Sequence, residues 1–166
     1  MMSNETKKKL LLDEEELYAE IVPLLDEGAS VPLTVSGGSM APFLGDRRDT
    51  VILTKPAFPL KKGDIAFFRR ENGKTVMHRI KKVTSDGYYF LGDAQTEVEG
   101  PISKDRIFAS VNTVIRKGKT LKKGDLLFDI FRILWIRLPF GRKAVLRLIS
   151  ARNRGDNKPH GKTYAK

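Results

Sequence analysis

Asp64-Ile65-Ala66-Phe67-Phe68-Arg69-Arg70, then Glu71-Asn72-Gly73, then Lys74-Thr75-Val76-Met77-His78-Arg79-Ile80-Lys81-Lys82-Val83-Thr84 is the stretch that decides the fold. Two runs rich in β-branched and aromatic residues flank an Asn-Gly turn signal, which reads as a β-hairpin. The same signature continues on both sides of it. Val31–Ser36, Thr50–Lys55, Tyr88–Leu91 and Arg106–Arg116 are further strand-like runs, separated by Gly-Asp and Asp-Gly turns. Many short strands with turn punctuation argue for a compact, mostly β domain.

Helical signals lie only at the two ends. Leu17, Ile21, Leu24 and Leu25 fall on one helical face between Asp13 and Glu27. Asp13 suits an N-cap, with Glu16 three residues on as in a capping box. Pro23 is expected to kink or shorten this helix, and Gly28 to end it. At the other end, Leu127, Ile130, Phe131, Leu134, Trp135 and Leu138 form an apolar stripe with Arg132 and Arg137 off it. Pro139-Phe140-Gly141 interrupts. Val145, Leu148 and Ile149 then follow beside Arg142, Lys143, Arg147 and Arg152. This organisation divides the chain into an N-terminal helical segment (1–28), a β domain (29–117), a basic amphipathic helical segment (118–152) and a polar tail (153–166), the tail reading as disordered.

The chain has 166 residues, 40% of them apolar and 31% charged, which suits one folded domain with a real core. It has no cysteine, so disulfides and thiolate metal sites are excluded. The net charge of +11 is unevenly spread. Residues 1–30 hold three Lys/Arg against eight Asp/Glu, giving −5; residues 31–115 hold thirteen against nine, giving +4; residues 116–166 hold fifteen against three, giving +12. The basicity thus belongs to the C-terminal third. An amphipathic, basic, Trp-bearing helical stretch fits an anionic membrane surface through residues 126–152. The alternative is that its apolar stripe packs on the β domain. Nucleic acid is the less expected partner, because the aromatics there sit in a helical stripe and not on strands as stacking platforms. No run approaches the ~20 apolar residues that cross a bilayer, and no secretory signal is legible. A cytoplasmic location, peripheral at the inner face of the membrane, is the expectation.

The chemistry concentrates in Ser36-Gly37-Gly38-Ser39-Met40-Ala41-Pro42. Two glycines before a serine let a substrate carbonyl approach both the hydroxyl and the backbone amides, which together could bind an oxyanion. Gly-Gly-Ser is also a common loop. A serine needs a base to take its proton. Of two histidines, His160 lies in the polar tail, whereas His78 lies in a strand on the same face as Val76 and Ile80. Partial desolvation there favours the neutral, proton-accepting imidazole. The alternative is a half-buried strand histidine bonded to backbone. Asp93, in Leu91-Gly92-Asp93-Ala94, is the candidate to orient the ring, although Gly-Asp is also ordinary turn chemistry.

Taken in order, these blocks resemble the signal peptidase I and LexA-type serine peptidase superfamily. Ser36-Gly37-Gly38-Ser39-Met40 with Pro42 is similar to the S-G-x-S-M box carrying the nucleophile, and Gly63-Asp64-Ile65 with Phe67-Phe68 to its G-D-hydrophobic strand. Met77-His78-Arg79-Ile80 is similar to the block holding the base, and Gly92-Asp93-Ala94 to the later G-D-N or G-D-A block. Bacterial signal peptidases usually place Lys where His78 stands; the endoplasmic-reticulum type places His. The resemblance covers about residues 29–117. It implies a coiled β fold with an N-terminal helix and C-terminal amphipathic helices. It implies a serine endopeptidase with a Ser39/His78 dyad and Asp93 as the candidate third member; Ala94 replaces Asn in the last block, and the acids that follow it are Glu97 and Glu99, which leaves the third member open. The substrate implied is a peptide or precursor protein bound as an extended strand, with neither metal nor organic cofactor. Arg48 stands where a Gly-Asp pair is common in the family. A binding protein of the same fold without turnover is the alternative that the sequence leaves open.

Overall fold

The hairpin forms where the sequence places it. β3 (Ile65–Arg69) and β4 (Thr75–Thr84) pair antiparallel, with Ala66 opposite His78 and Phe68 opposite Val76. The Arg70 amide donates to the Lys74 carbonyl (2.8 Å) and the Gly73 amide to the Arg70 carbonyl (3.0 Å). Gly73 takes φ +82°, the left-handed conformation a three-residue hairpin loop requires at its end. The structure, a computed structural model, describes residues 14–137 and residue 147. Asp13, Leu138 and the segment after it apart from residue 147, and the tail with His160 lie outside the described residues.

Around the hairpin lies an eight-stranded antiparallel sheet. It adds β1 (Val31–Thr34), β2 (Asp49–Thr54), β5 (Gly87–Leu91), β6 (Glu99–Ile102), β7 (Ile107–Arg116) and β8 (Lys119–Lys122), in the order β1-β2-β7-β3-β4-β5-β6. β7 is the organising strand. Residues 110–116 pair with β2, while β3 (along 107–111) and β8 (along 113–116) pair with it in succession. Irregularities at Ile52/Leu53, Phe67/Phe68, Ile80/Lys82 and Tyr88/Phe90 interrupt the ladders, as bulges do where strands bend. The protein is thus mainly β, with two helices.

Two strands depart from the sequence reading. Glu99-Gly100-Pro101-Ile102 contains the residues that punctuate loops, yet it pairs with β5 as an edge strand, where proline is tolerated. Lys119–Lys122, assigned above to the helical segment, is strand instead. It closes a hairpin on β7 across Lys117-Gly118, both at positive φ.

β3 is buried on both sides and divides the interior. Ile65 and Phe67 join a larger cluster with Val51, Leu53, Val111, Met40, Phe43 and Leu44; Ala66 and Phe68 join a second with Ile80, Phe90, Ile102 and Ile107. Period-two alternation makes one strand line both.

The helices cover the larger cluster. α1 (Glu14–Asp26) buries Ile21 and Leu25 there. Pro23 lies inside it without shortening it; the helix ends where Gly28, at φ +85°, lets the amides of Gly28 and Ala29 turn back to Leu25 and Leu24. α2 (Leu126–Arg137) packs through Phe128, which is 1% exposed, and through Phe131, whose ring stacks on Phe43 and Trp135. The expected stripe therefore splits. Phe131 and Trp135 turn inward with Phe128, while Ile130 and Leu134 stay exposed with Leu126 and Ile133. Among the described residues no helix is long and apolar enough to cross a membrane.

Candidate functional site

The Ser39 loop follows β1 and is pinned at its base by a buried carboxylate. Asp49, fully buried, accepts from Arg48, Arg116 and the Gly45 amide (2.9 Å). Burial opposes its charge, but the two guanidiniums and the amide outweigh it and hold the carboxyl below the usual range. Arg116 also donates to the Phe43 carbonyl, and the Val35 amide donates to the Asp49 carbonyl (2.9 Å), so both ends of the loop are fixed. Arg48 is thereby part of the loop's own scaffold.

Within the loop, Ser36, Gly37 and Gly38 are exposed, Ser39 and Pro42 are half-buried, and Met40 is anchored in the larger cluster. Gly37 takes φ +87° and its amide donates to Asp46 Oδ1 (2.9 Å), so it is not an oxyanion donor as it stands. The amides of Gly38, Ser39 and Met40 form no hydrogen bond with a described residue. The Ser39 hydroxyl forms none either, so it is not bonded to His78 among the described residues.

His78 sits in β4 with its ring against Phe68 (6.2 Å between centroids) and is 2% exposed. Its Nδ1 lies 3.3 Å from Glu99 Oε1, within ion-pair reach but without the alignment of a hydrogen bond. Glu99 is held by Arg70, whose Nε and Nη2 donate to its two oxygens. Burial pushes the imidazole below its ordinary pKa; the Arg70 charge adds to this and the Glu99 charge opposes it. At neutral pH the ring is uncharged and can accept a proton. Glu99 in turn is held below the usual carboxylate range, chiefly by the Arg70 hydrogen bond.

Asp93 does not take the role expected of it. Its Oδ1 and Oδ2 accept from Arg79 Nε (2.8 Å) and Nη2 (2.7 Å), and both side chains are buried. The reason is strand geometry: Arg79 follows His78, so the two point to opposite faces of β4. Asp93 is on the Arg79 side, and the carboxylate beside His78 is Glu99. Arg79 also donates to the Gly63 carbonyl (3.0 Å) and lies over the Phe43 ring (4.9 Å), while Trp135 Nε1 donates to the Asp93 carbonyl (3.0 Å).

The Ser39 loop and the Asp93 turn are directly joined. The Ala94 amide donates to the Ser39 carbonyl (2.8 Å). Gly92 leaves room for this contact, since a Cβ there would stand 2.8 Å from the same oxygen. The Gly63-Asp64 block is structural: Asp64 accepts from the Lys61 amide (2.9 Å) and pairs with Lys123 (2.7 Å). The four blocks that carry the resemblance thus lie on the loop after β1, the entry to β3, β4 itself and the turn after β5. Sequence reasoning missed the roles of Arg70, Arg79 and Asp49, and noted Glu99 only, with Glu97, as an acid following the Asp93 block. Only their contacts reveal them, because an arginine or glutamate near a strand end reads as solvated. No protein-family model matches the chain, and no curated protein matches it.

Proposed function

We propose that the protein is a serine endopeptidase that cleaves a peptide or precursor protein, built on the coiled β fold of the signal peptidase and LexA-type superfamily. One observation carries the reading: His78, on β4, is buried and uncharged, and has a carboxylate against Nδ1. That is the state a general base needs, and a solvated strand histidine would not have it. The bond from Ala94 to Ser39 fixes the serine loop to the Asp93 turn, on the Arg79 face of β4, one residue along the strand from His78.

In this reading the Ser39 Oγ attacks the scissile carbonyl carbon while its proton passes to His78 Nε2. The amides of Gly38, Ser39 and Met40 are the donors for the oxyanion. His78 then gives the proton to the leaving amine, leaving an acyl-Ser39 ester. Water, deprotonated by the same imidazole, releases the acid and restores the serine. The hydroxyl and imidazole share no hydrogen bond in the structure, so in this reading the Ser39 loop shifts toward the His78 face of β4 as substrate seats. The test is turnover of a peptide library together with labelling by a serine-directed phosphonate. Both are expected for the native chain and neither for Ser39→Ala; equal turnover by Ser39→Ala removes the proposal. Binding of peptides with no labelling would favour a silent accessory protein instead.

We place this activity at an anionic membrane surface, on the cytoplasmic side. Leu126, Ile130, Ile133 and Leu134 leave an aliphatic face of α2 uncovered, and residues 116–166 carry fifteen Lys/Arg against three Asp/Glu. Trp135 is not part of that face, since it turns to Asp93. Co-sedimentation with phosphatidylserine vesicles, weakened by salt and by Ile130→Glu with Leu134→Glu, is expected. Binding to oligonucleotides but not vesicles would overturn it.

A further inference from the structure

Within the peptidase reading, and resting on it, one residue acquires a role that the sequence assigns to another. We infer that Glu99 is the positioning carboxylate of the His78 base, held in place by Arg70. Three observations carry this. The two oxygens of Glu99 are both engaged by the Arg70 guanidinium, and Oε1, the one on Nη2 (2.7 Å), is also the one 3.3 Å from His78 Nδ1. The carboxylate therefore cannot swing away without breaking a two-point clamp.

The backbone around Glu99 is shaped for the same end. It lies opposite Phe90 in the β5–β6 ladder, and the next residue, Gly100, has no room for a side chain. A Cβ there would stand 2.8 Å from the Tyr88 carbonyl and 3.0 Å from the Tyr89 Cα. β6 can thus press onto β5. The sheet curls far enough that Glu99, on the last strand of the order, meets both Arg70, just past β3, and His78 of β4.

The chemistry follows from the tautomer. A carboxylate has no proton to give, so at Nδ1 it favours the ring with hydrogen on Nδ1 and the lone pair on Nε2. Nε2 is the nitrogen left to receive the Ser39 proton. As the ring becomes charged during attack, the nearby negative carboxylate stabilises it. Burial is the main reason the resting imidazole is uncharged, and Arg70, clamped to the same carboxylate, partly offsets the pull of Glu99.

The test uses the full chain with 15N-labelled histidine and His160→Gln, so that His78 is the only imidazole observed. The Nδ1–H tautomer is expected in this protein. Glu99→Ala should populate the Nε2–H form, and Glu99→Gln should move the His78 titration midpoint to lower pH. Both should lower kcat by at least about a hundredfold with little change in KM. An unchanged tautomer and midpoint in both variants overturns the inference and leaves Glu99 as a strand tether. Failure of the native chain to react with a phosphonate at Ser39 overturns the peptidase reading separately, whatever the tautomer shows.

Discussion

Arg79 and Asp93 form a two-point ion pair, Nε to Oδ1 at 2.8 Å and Nη2 to Oδ2 at 2.7 Å, with 1% and 2% of their surfaces exposed. Such a pair is costly to break, because the remaining partner is left charged and buried. Asp93→Ala is expected to lower stability by about 3–5 kcal/mol in urea denaturation. The His78 titration midpoint should move much less in Asp93→Ala than in Glu99→Gln.

Ser39→Ala tests the opposite extreme. Its hydroxyl makes no hydrogen bond with a described residue, so removal should leave stability within about 0.5 kcal/mol while phosphonate labelling disappears. Thermal denaturation and labelling on the same samples check both halves.

The pH response of His78 has a definite sign. Its folded pKa lies below the ordinary 6.5, mainly because burial disfavours the charged ring. Below ~6.5 the unfolded chain takes up a proton there before the folded one does, so stability falls as pH drops from that value toward the folded pKa. His78→Asn should flatten this part of the stability curve. The acid limb of kcat/KM, which reports the free base, should fall at lower pH than an ordinary histidine would give.

Gly92→Ala probes the joint between the serine loop and the Asp93 turn. A methyl there would stand 2.8 Å from the Ser39 carbonyl, a backbone atom, and 2.7 Å from Gln95 Oε1. The loop must move to admit it. A loss of at least about tenfold in kcat, with the far-ultraviolet dichroism unchanged, is the expected result.

α2 offers a contrast in packing. Phe128→Ala removes a buried ring that meets Phe43 edge-on at 5.2 Å and should cost about 3–5 kcal/mol. Ile133→Ala, on the exposed face of the same helix, should change stability by about 0.5 kcal/mol or less.

The β-branched runs announced six of the eight strands to within one or two residues at most ends, because a strand buried on one or both faces must be apolar at its core positions. β6 was hidden by Gly100-Pro101, and β8 by its four-residue length and its two lysines. The order of the blocks made Ser39 and His78 visible as candidates. It could not show which carboxylate faces which side of β4: Asp93 follows a glycine in a family-like block, while Glu99 sits in a stretch that reads as loop. Face is set by pairing register, and register across β5–β6 depends on a bulge that no local pattern encodes. Phe128 was missed for a related reason. Helical periodicity defines a stripe, but two faces of α2 are apolar, and only tertiary packing selects the inner one.

The division of the interior by β3 has a mechanical consequence for the proposed chemistry. Met40 seats the serine loop on one side of that partition, and Phe68 backs His78 on the other, so the two groups of the proposed proton transfer rest on different supports and meet only if the loop shifts toward β4. Loosening either support would disturb that approach long before the chain melts. Turnover should therefore fade with mild denaturant ahead of any spectroscopic transition, making activity the earliest gauge of damage to the interior.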